Sequence, residues 1–193
     1  MSVHTLYAAA TKKKILAYGD SLTAGYGLPY DQSFAAQLEK KLQAEGYAVT
    51  VINAGVSGET TSGGLSRINW TLQEKPDFVI LEMGANDMLR GIDPALTRKN
   101  LDKMLAILQK RKIPVLLAGM KATTGLGKKY TAEFDAIYPA LAKKYHTVYY
   151  PFFLKGVWDK ADLRLPGNIH PNVQGVVVIV DNILPKVKDL LKQ

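Results

Sequence analysis

Five short runs of apolar, β-branched and aromatic residues punctuate the chain: "KILAYG" from Lys14, "AVTVINAG" from Ala48, "DFVILEMG" from Asp77, "IPVLLAGM" from Ile113 and "TVYYPFF" from Thr147. Each is nearly continuous rather than alternating, the pattern of a strand covered on both faces. Most are followed by a longer stretch of helical periodicity, and this succession predicts βαβ units on a parallel sheet. "QSFAAQLEKKLQAEG" ends on Gly46 as a helix C-cap does. "PALTRKNLDKMLAILQKRK" begins after Asp93, a capping residue, with Pro94 at the first helical position. "TAEFDAIYPALAKKY" and "PNVQGVVVIVDNILPKVKDLLK" carry Pro139 and Pro185, which should kink or divide their helices. The expected fold is α/β: a three-layer α/β/α domain on a flavodoxin-like, five-stranded parallel sheet. In such open sheets ligands bind beyond the carboxyl ends of the strands, so the residues after each run are the ones to inspect.

Length and composition narrow the classes. At 193 residues the chain suits one core, read as residues 14–193 after an N-terminal tail, 1–13. It contains no cysteine, which removes disulfides, thiolate nucleophiles and Cys-based metal sites. No stretch approaches the roughly 18 continuous apolar residues of a spanning helix, so no integral membrane segment is expected. In "MSVHTLYAAATKKK" the lysines follow the apolar stretch, whereas a signal peptide carries its charge first. The net charge of +8 raises the question of nucleic acid. Its lysines scatter in pairs along helix faces without an aromatic-interleaved basic stripe, which predicts a solvated surface and no nucleic-acid partner. Nothing in the pattern specifies an oligomeric state.

Three successive strand ends carry glycine with Ser, Asn or Asp: Gly19-Asp20-Ser21, then "NAGVSG" at 53–58, then "GAND" at 84–87. The last helix opens at "NIHPN" with His170. Singly, each has a plain reading: Ser21 as a helix N-cap, Asn86 in an Asx turn, His170 as an exposed cap. Together they form a chemical set. Ester cleavage by serine needs a hydroxyl, an imidazole to take its proton, and donors aimed at the developing oxyanion. Ser21 supplies the first and His170 the second. The donors are the backbone N–H groups of Ser21 and Gly58 and the Asn86 amide, glycine at 58 keeping a Cβ out of the way. Gly25 and Gly27 are read as letting the loop after Ser21 stay close to the substrate.

"GDSL" at 19–22, the glycine of "NAGVSGET", "GAND" at 84–87 and "HPN" at 170–172 resemble the four sequence blocks of the SGNH (GDSL-type) hydrolases. Within them the chain resembles the bacterial arylesterase, lysophospholipase and thioesterase I group, over nearly everything from Lys14 onward. The resemblance implies a serine hydrolase that cleaves carboxylic esters or thioesters of short to medium acyl groups through an acyl-enzyme, with a small-molecule substrate and no metal or cofactor. It implies Ser21 as nucleophile, His170 as base, and Ser21, Gly58 and Asn86 as the oxyanion hole. Export to the periplasm or medium is expected from the relatives, with a cytoplasmic home as the alternative. Met88, Leu89, Phe153 and Trp158 are candidates for the acyl-site wall, with core packing the more frequent role for residues of each kind.

One element departs from the family pattern. The triad aspartate is expected three residues before the histidine, and Gly167 stands there, in Gly167-Asn168-Ile169-His170. "LPGN" reads as a type II turn with Pro166 and Gly167 at its centre. Asn168 and Asp162 are the candidate imidazole partners in place of the aspartate. Loss of a triad acid typically costs about 10⁴ in kcat, ~5–6 kcal/mol of transition-state stabilisation. The expectation is a weakened hydrolase, with a catalytically impaired or inactive acyl-binding fold as the alternative.

Overall fold

The five apolar runs form five parallel strands in a computed structural model that describes residues 12–167 and 169–193. They are β1 (Lys13–Gly19), β2 (Val49–Gly55), β3 (Phe78–Glu82), β4 (Val115–Ala118) and β5 (Val148–Tyr150), in the order β2-β1-β3-β4-β5. This is the flavodoxin-like order, in which the chain winds one way from β1 and then back across it. Sequence neighbours on a strand point to opposite faces. Ile15 and Leu16, Ile80 and Leu81, and Leu116 and Leu117 are all at most 1% exposed, so both faces are covered. Each such side chain contributes roughly 1.5–3 kcal/mol of hydrophobic stabilisation.

Eight helices complete the described structure: α1 (Ser21–Ala24), α2 (Phe34–Ala44), α3 (Thr61–Thr71), α4 (Ala85–Leu89), α5 (Pro94–Lys110), α6 (Lys128–Asp135), α7 (Ile137–Tyr145) and α8 (Val173–Leu190). α2 packs with α8 on one face, and α3, α5 and α7 group on the other. Asp93 caps α5 as expected, its carboxylate accepting from Ala95 N at 2.8 Å. The helix expected across Pro139 is two helices that part at Ala136. Pro139 is thereby the third residue of α7, where its missing N–H has no intrahelical acceptor to lose. α8 instead runs through Pro185 without division. Ile183 and Leu184 before the proline and Val187 and Leu190 after it are all buried, so packing on both sides holds the helix across the lost hydrogen bond.

α3 has no counterpart in the periodicity of the sequence. Its "TSGGLSRINWT" holds two adjacent glycines and few apolar residues, a poor helix by propensity. Gly64 is required by packing: a Cβ there would lie 2.3 Å from Met83 Sδ at the end of β3. The first N–H of α3 is satisfied from outside, Thr61 N donating to Asp87 at 2.8 Å.

Register sets the site. Gly19 pairs with Gly55 on one side and Glu82 on the other, which brings the carboxyl ends of β1, β2 and β3 level. Residues 20–21, 56–59 and 84–87 therefore emerge side by side where the winding reverses. Among the described residues no helix is long and apolar enough to cross a membrane.

Candidate active site

Ser21 is the first residue of α1, and Asp20 rather than Ser21 is the cap, accepting from Leu22 N at 3.0 Å. The turn is tight. A Cβ on Gly19 would lie 2.1 Å from Thr23 Oγ1 and 2.6 Å from Glu82 Oε2. Ser21 Oγ stands 2.8 Å from His170 Nε2. His170 enters from the loop before α8, where Leu165 N donates to its carbonyl at 2.9 Å and Asn172 caps the helix by accepting from Gly175 N at 3.0 Å. The cap at this helix is thus Asn172, and His170 is left to face the serine.

Gly58 sits on the exposed loop after β2 with φ +79°, a left-handed conformation that suits glycine. Two arginines hold this loop: Arg90 donates to the Gly58 carbonyl at 2.7 Å, and Arg67 pairs with Glu59 while donating to Ala54 O at 2.9 Å. Among the described residues neither the Ser21 N–H nor the Gly58 N–H is taken by a protein acceptor. Asn86 gives one amide hydrogen to Asp20 Oδ2 at 3.1 Å, leaving its second.

Behind these groups lies a buried acidic pair. Asp20 and Glu82 are both fully buried. Burial pushes Asp20 up to about 7 against the hydrogen bonds from Leu22 and Asn86. Burial and the neighbouring Asp20 raise Glu82 as well. Glu82 Oε2 accepts from Thr23 Oγ1 at 2.7 Å. Asp87, also buried, accepts from Thr61 and from Thr97 Oγ1, tying α3, α4 and α5 together behind the site. Burial lowers the His170 imidazole below the usual histidine range. That favours the neutral ring a base needs.

Ser21, Gly58, Asn86 and His170 all line one cavity of about 350 Å³. Its walls are apolar, with Leu22, Tyr26, Met88, Leu89, Phe152 and Trp158 among them, and among the described residues Lys121 is the one Lys, Arg, Asp or Glu on its lining. Phe153, one of the candidates for this wall, takes the core role instead, fully buried against Phe34 with ring centroids 5.0 Å apart, and its neighbour Phe152 lines the cavity. The room at Gly25 and Gly27 is filled by Ser33 and Leu165, and Tyr26 between them lines the cavity. Among the described residues no cluster of His, Asp and Glu is arranged to hold a metal ion.

Gly167 has φ +65° in the turn after Pro166, and a Cβ there would meet nothing within 4 Å. Asp162 does not replace the aspartate. It is exposed on a short 3₁₀ turn, Ala161–Leu163, and engages the loop through its carbonyl, which accepts from Asn172 Nδ2 at 2.7 Å. Its carboxylate makes no bond to His170. Asn168 lies outside the described residues.

Residues 17–177 match the GDSL-like Lipase/Acylhydrolase family. The chain belongs to this family. Esterase TesA of Pseudomonas aeruginosa is 37% identical over 183 residues, 94% of this chain and 91% of that protein. Thioesterase 1/protease 1/lysophospholipase L1 of Escherichia coli (strain K12) is 33% identical over 186 residues, 96% of this chain and 88% of that protein. Among solved structures, AlinE4, an SGNH-hydrolase family esterase, superposes with a TM-score of 0.81 at 47% identity, over 95% of this chain and 99% of that one. The fold and the ordered sequence blocks thus agree with the family that the motifs resemble.

Proposed function

We propose that this cavity hydrolyses carboxylic esters or thioesters of short to medium acyl groups through an acyl-enzyme on Ser21. That the chain is a carboxylic ester hydrolase follows from its family and from relatives named esterase and thioesterase. The observation that carries the residue roles is the 2.8 Å approach of Ser21 Oγ to His170 Nε2 at the wall of an apolar cavity. In this reading Oγ attacks the acyl carbonyl while Nε2 takes its proton. The developing oxyanion is received by the N–H groups of Ser21 and Gly58 and the second amide hydrogen of Asn86. His170 returns the proton to the departing alkoxide or thiolate. Water then adds to the acyl-serine with His170 again as base, releasing the acid and restoring Ser21. Hydrolysis of p-nitrophenyl acetate and butyrate, with labelling by a fluorophosphonate, tests the proposal. Absence of both turnover and labelling defeats it and leaves an acyl-binding fold.

The glycine at 167 favours a weakened enzyme, since the family's acid position carries no carboxylate. Gly167→Asp is expected to raise kcat/KM for these esters at least about tenfold, within the ~10⁴ that a triad acid is worth. The site has room for it, and aspartate tolerates a positive φ better than most residues. An unchanged rate in a folded variant would show that a carboxylate at 167 adds nothing to the orientation His170 already has.

A further inference from the structure

Tyr26 is the aromatic residue of the loop after the nucleophile, and neither the motif blocks nor the oxyanion hole use it. Its ring lies against the imidazole of His170, centroids 4.5 Å apart and planes inclined by 36°. The backbone places it there from both sides. Tyr26 N donates to the Ser21 carbonyl at 3.1 Å, so the residue is anchored to the nucleophile itself. Gly25 and Gly27 flank it with φ of +83° and +78°, left-handed values that turn the chain so the side chain swings toward the histidine. The space at Gly27 is filled by Leu165, whose Cδ1 would lie 2.6 Å from a Cβ there. Leu165 N in turn donates to the His170 carbonyl at 2.9 Å. The nucleophile loop and the histidine loop are therefore interlocked through Tyr26 and its neighbour glycine.

We infer that Tyr26 is a positioning residue for His170: its ring face fixes the imidazole edge toward Ser21 and stabilises the imidazolium formed when Nε2 takes the serine proton. The inference rests on the reading of His170 as the base. An aromatic face attracts a cation held within about 6 Å of its centroid, and the imidazole carries its charge only between proton uptake from Oγ and proton return to the leaving group. The ring contact therefore acts on the charged imidazole more than on the neutral one. It supplies, without a carboxylate, part of what a triad acid does in other serine hydrolases. Among the described residues, the charged or titratable groups on the elements that carry or adjoin the two rings include Asp20 before Ser21, Tyr30 and Asp31 after Tyr26, Lys121 on the cavity lining, and Asp159, Lys160, Asp162 and Arg164 on the loop ahead of His170. Substitutions at 26 leave all of them in place.

Two variants separate the ring from its hydroxyl: Tyr26→Phe keeps the aromatic face, and Tyr26→Leu keeps apolar bulk without it. Tyr26 is 49% exposed, so neither change opens the core. Titration of the His170 resonances by NMR, assigned with His170→Asn, should show the imidazole pKa lower by about half a unit in Tyr26→Leu and nearly unchanged in Tyr26→Phe. The acid limb of kcat/KM should move down by the same amount, because losing the face disfavours the protonated ring. Ester turnover in Tyr26→Leu should fall roughly three- to tenfold in kcat with KM little changed, and Tyr26→Phe should restore it. An imidazole pKa and kcat that stay at wild-type values in Tyr26→Leu overturn the inference, as does a Tyr26→Phe variant as damaged as Tyr26→Leu. Wild-type protein without turnover or fluorophosphonate labelling overturns the base role of His170 instead, and the titration then decides the ring's effect on its own.

Discussion

Ser21→Ala is expected to abolish fluorophosphonate labelling and to lower ester turnover by about 10² or more, and the size of that fall measures how well His170 is held. Without Oγ there is no acyl-enzyme, and only water activated near the imidazole, helped by the oxyanion donors, remains. In a serine protease with a complete triad, removing the serine costs about 2 × 10⁶ in kcat and removing the acid alone about 3 × 10⁴. An enzyme that has already lost the acid's contribution has a factor of only about 10² left for its serine to lose. A fall near 10² therefore marks a base poorly oriented in the absence of a carboxylate at Gly167. A fall approaching 10⁶ marks an imidazole held by other means, and the Tyr26 ring lying against it is one feature in place to contribute. Turnover that survives Ser21→Ala undiminished would remove the mechanism while leaving the family intact.

Why some of this was legible in the sequence and some was not follows from the range over which each signal acts. The five strands are continuous apolar runs, and continuity is forced by burial on two faces, so the runs coincide with β1–β5 to within a few residues. α5 announced itself through Asp93 and Pro94 because capping is local. α3 did not, because its first N–H is satisfied by Asp87, elsewhere in the chain, and its two glycines obey packing rather than helix propensity, Gly64 against Met83 at the end of β3 and Gly63 against Glu59. The same divide runs through the site. Ser21, Gly58, Asn86 and His170 sit in short blocks that chemistry and family resemblance single out, and the structure brings all four onto one cavity. The hydrogen bond from Asn86 to Asp20, the contact of Tyr26 with His170, and the latch of Arg90 on Gly58 join residues 66, 144 and 32 positions apart in the numbering (86 − 20, 170 − 26, 90 − 58). No periodicity reports such pairs. Phe152 and Phe153 illustrate the limit at a single step: adjacent aromatics at a strand end differ only in which way each points, and that is set by Phe34 on α2.

The buried acids give Asn86 a double task, and Asn86→Ala should expose both halves of it. Its amide is one of three donors proposed for the oxyanion, and loss of one such donor typically costs about 10²–10³ in kcat, ~2.7–4 kcal/mol. Because the donor is engaged by the transition state more than by the ground-state carbonyl, the loss should fall on kcat with KM nearly unchanged. The other half is structural. Asp20 is fully buried and, among the described residues, its carboxylate accepts only from Leu22 N and the Asn86 amide, and both bonds oppose the desolvation that pushes its pKa up to about 7. Removing Asn86 should raise Asp20 further, so that at neutral pH it is held protonated beside Glu82. Leaving a buried acceptor short of its donor typically costs about 1–3 kcal/mol, measurable as a lower Tm. The two effects separate by measurement: thermal unfolding reads the Asp20 contact, and kcat per labelled, folded molecule reads the oxyanion donor. A variant with a lowered Tm but kcat within threefold of wild type would confine Asn86 to bracing the turn that carries Ser21. A fall in both places the same amide at the junction of the nucleophile turn and the oxyanion hole, where one side chain fixes the distance between them.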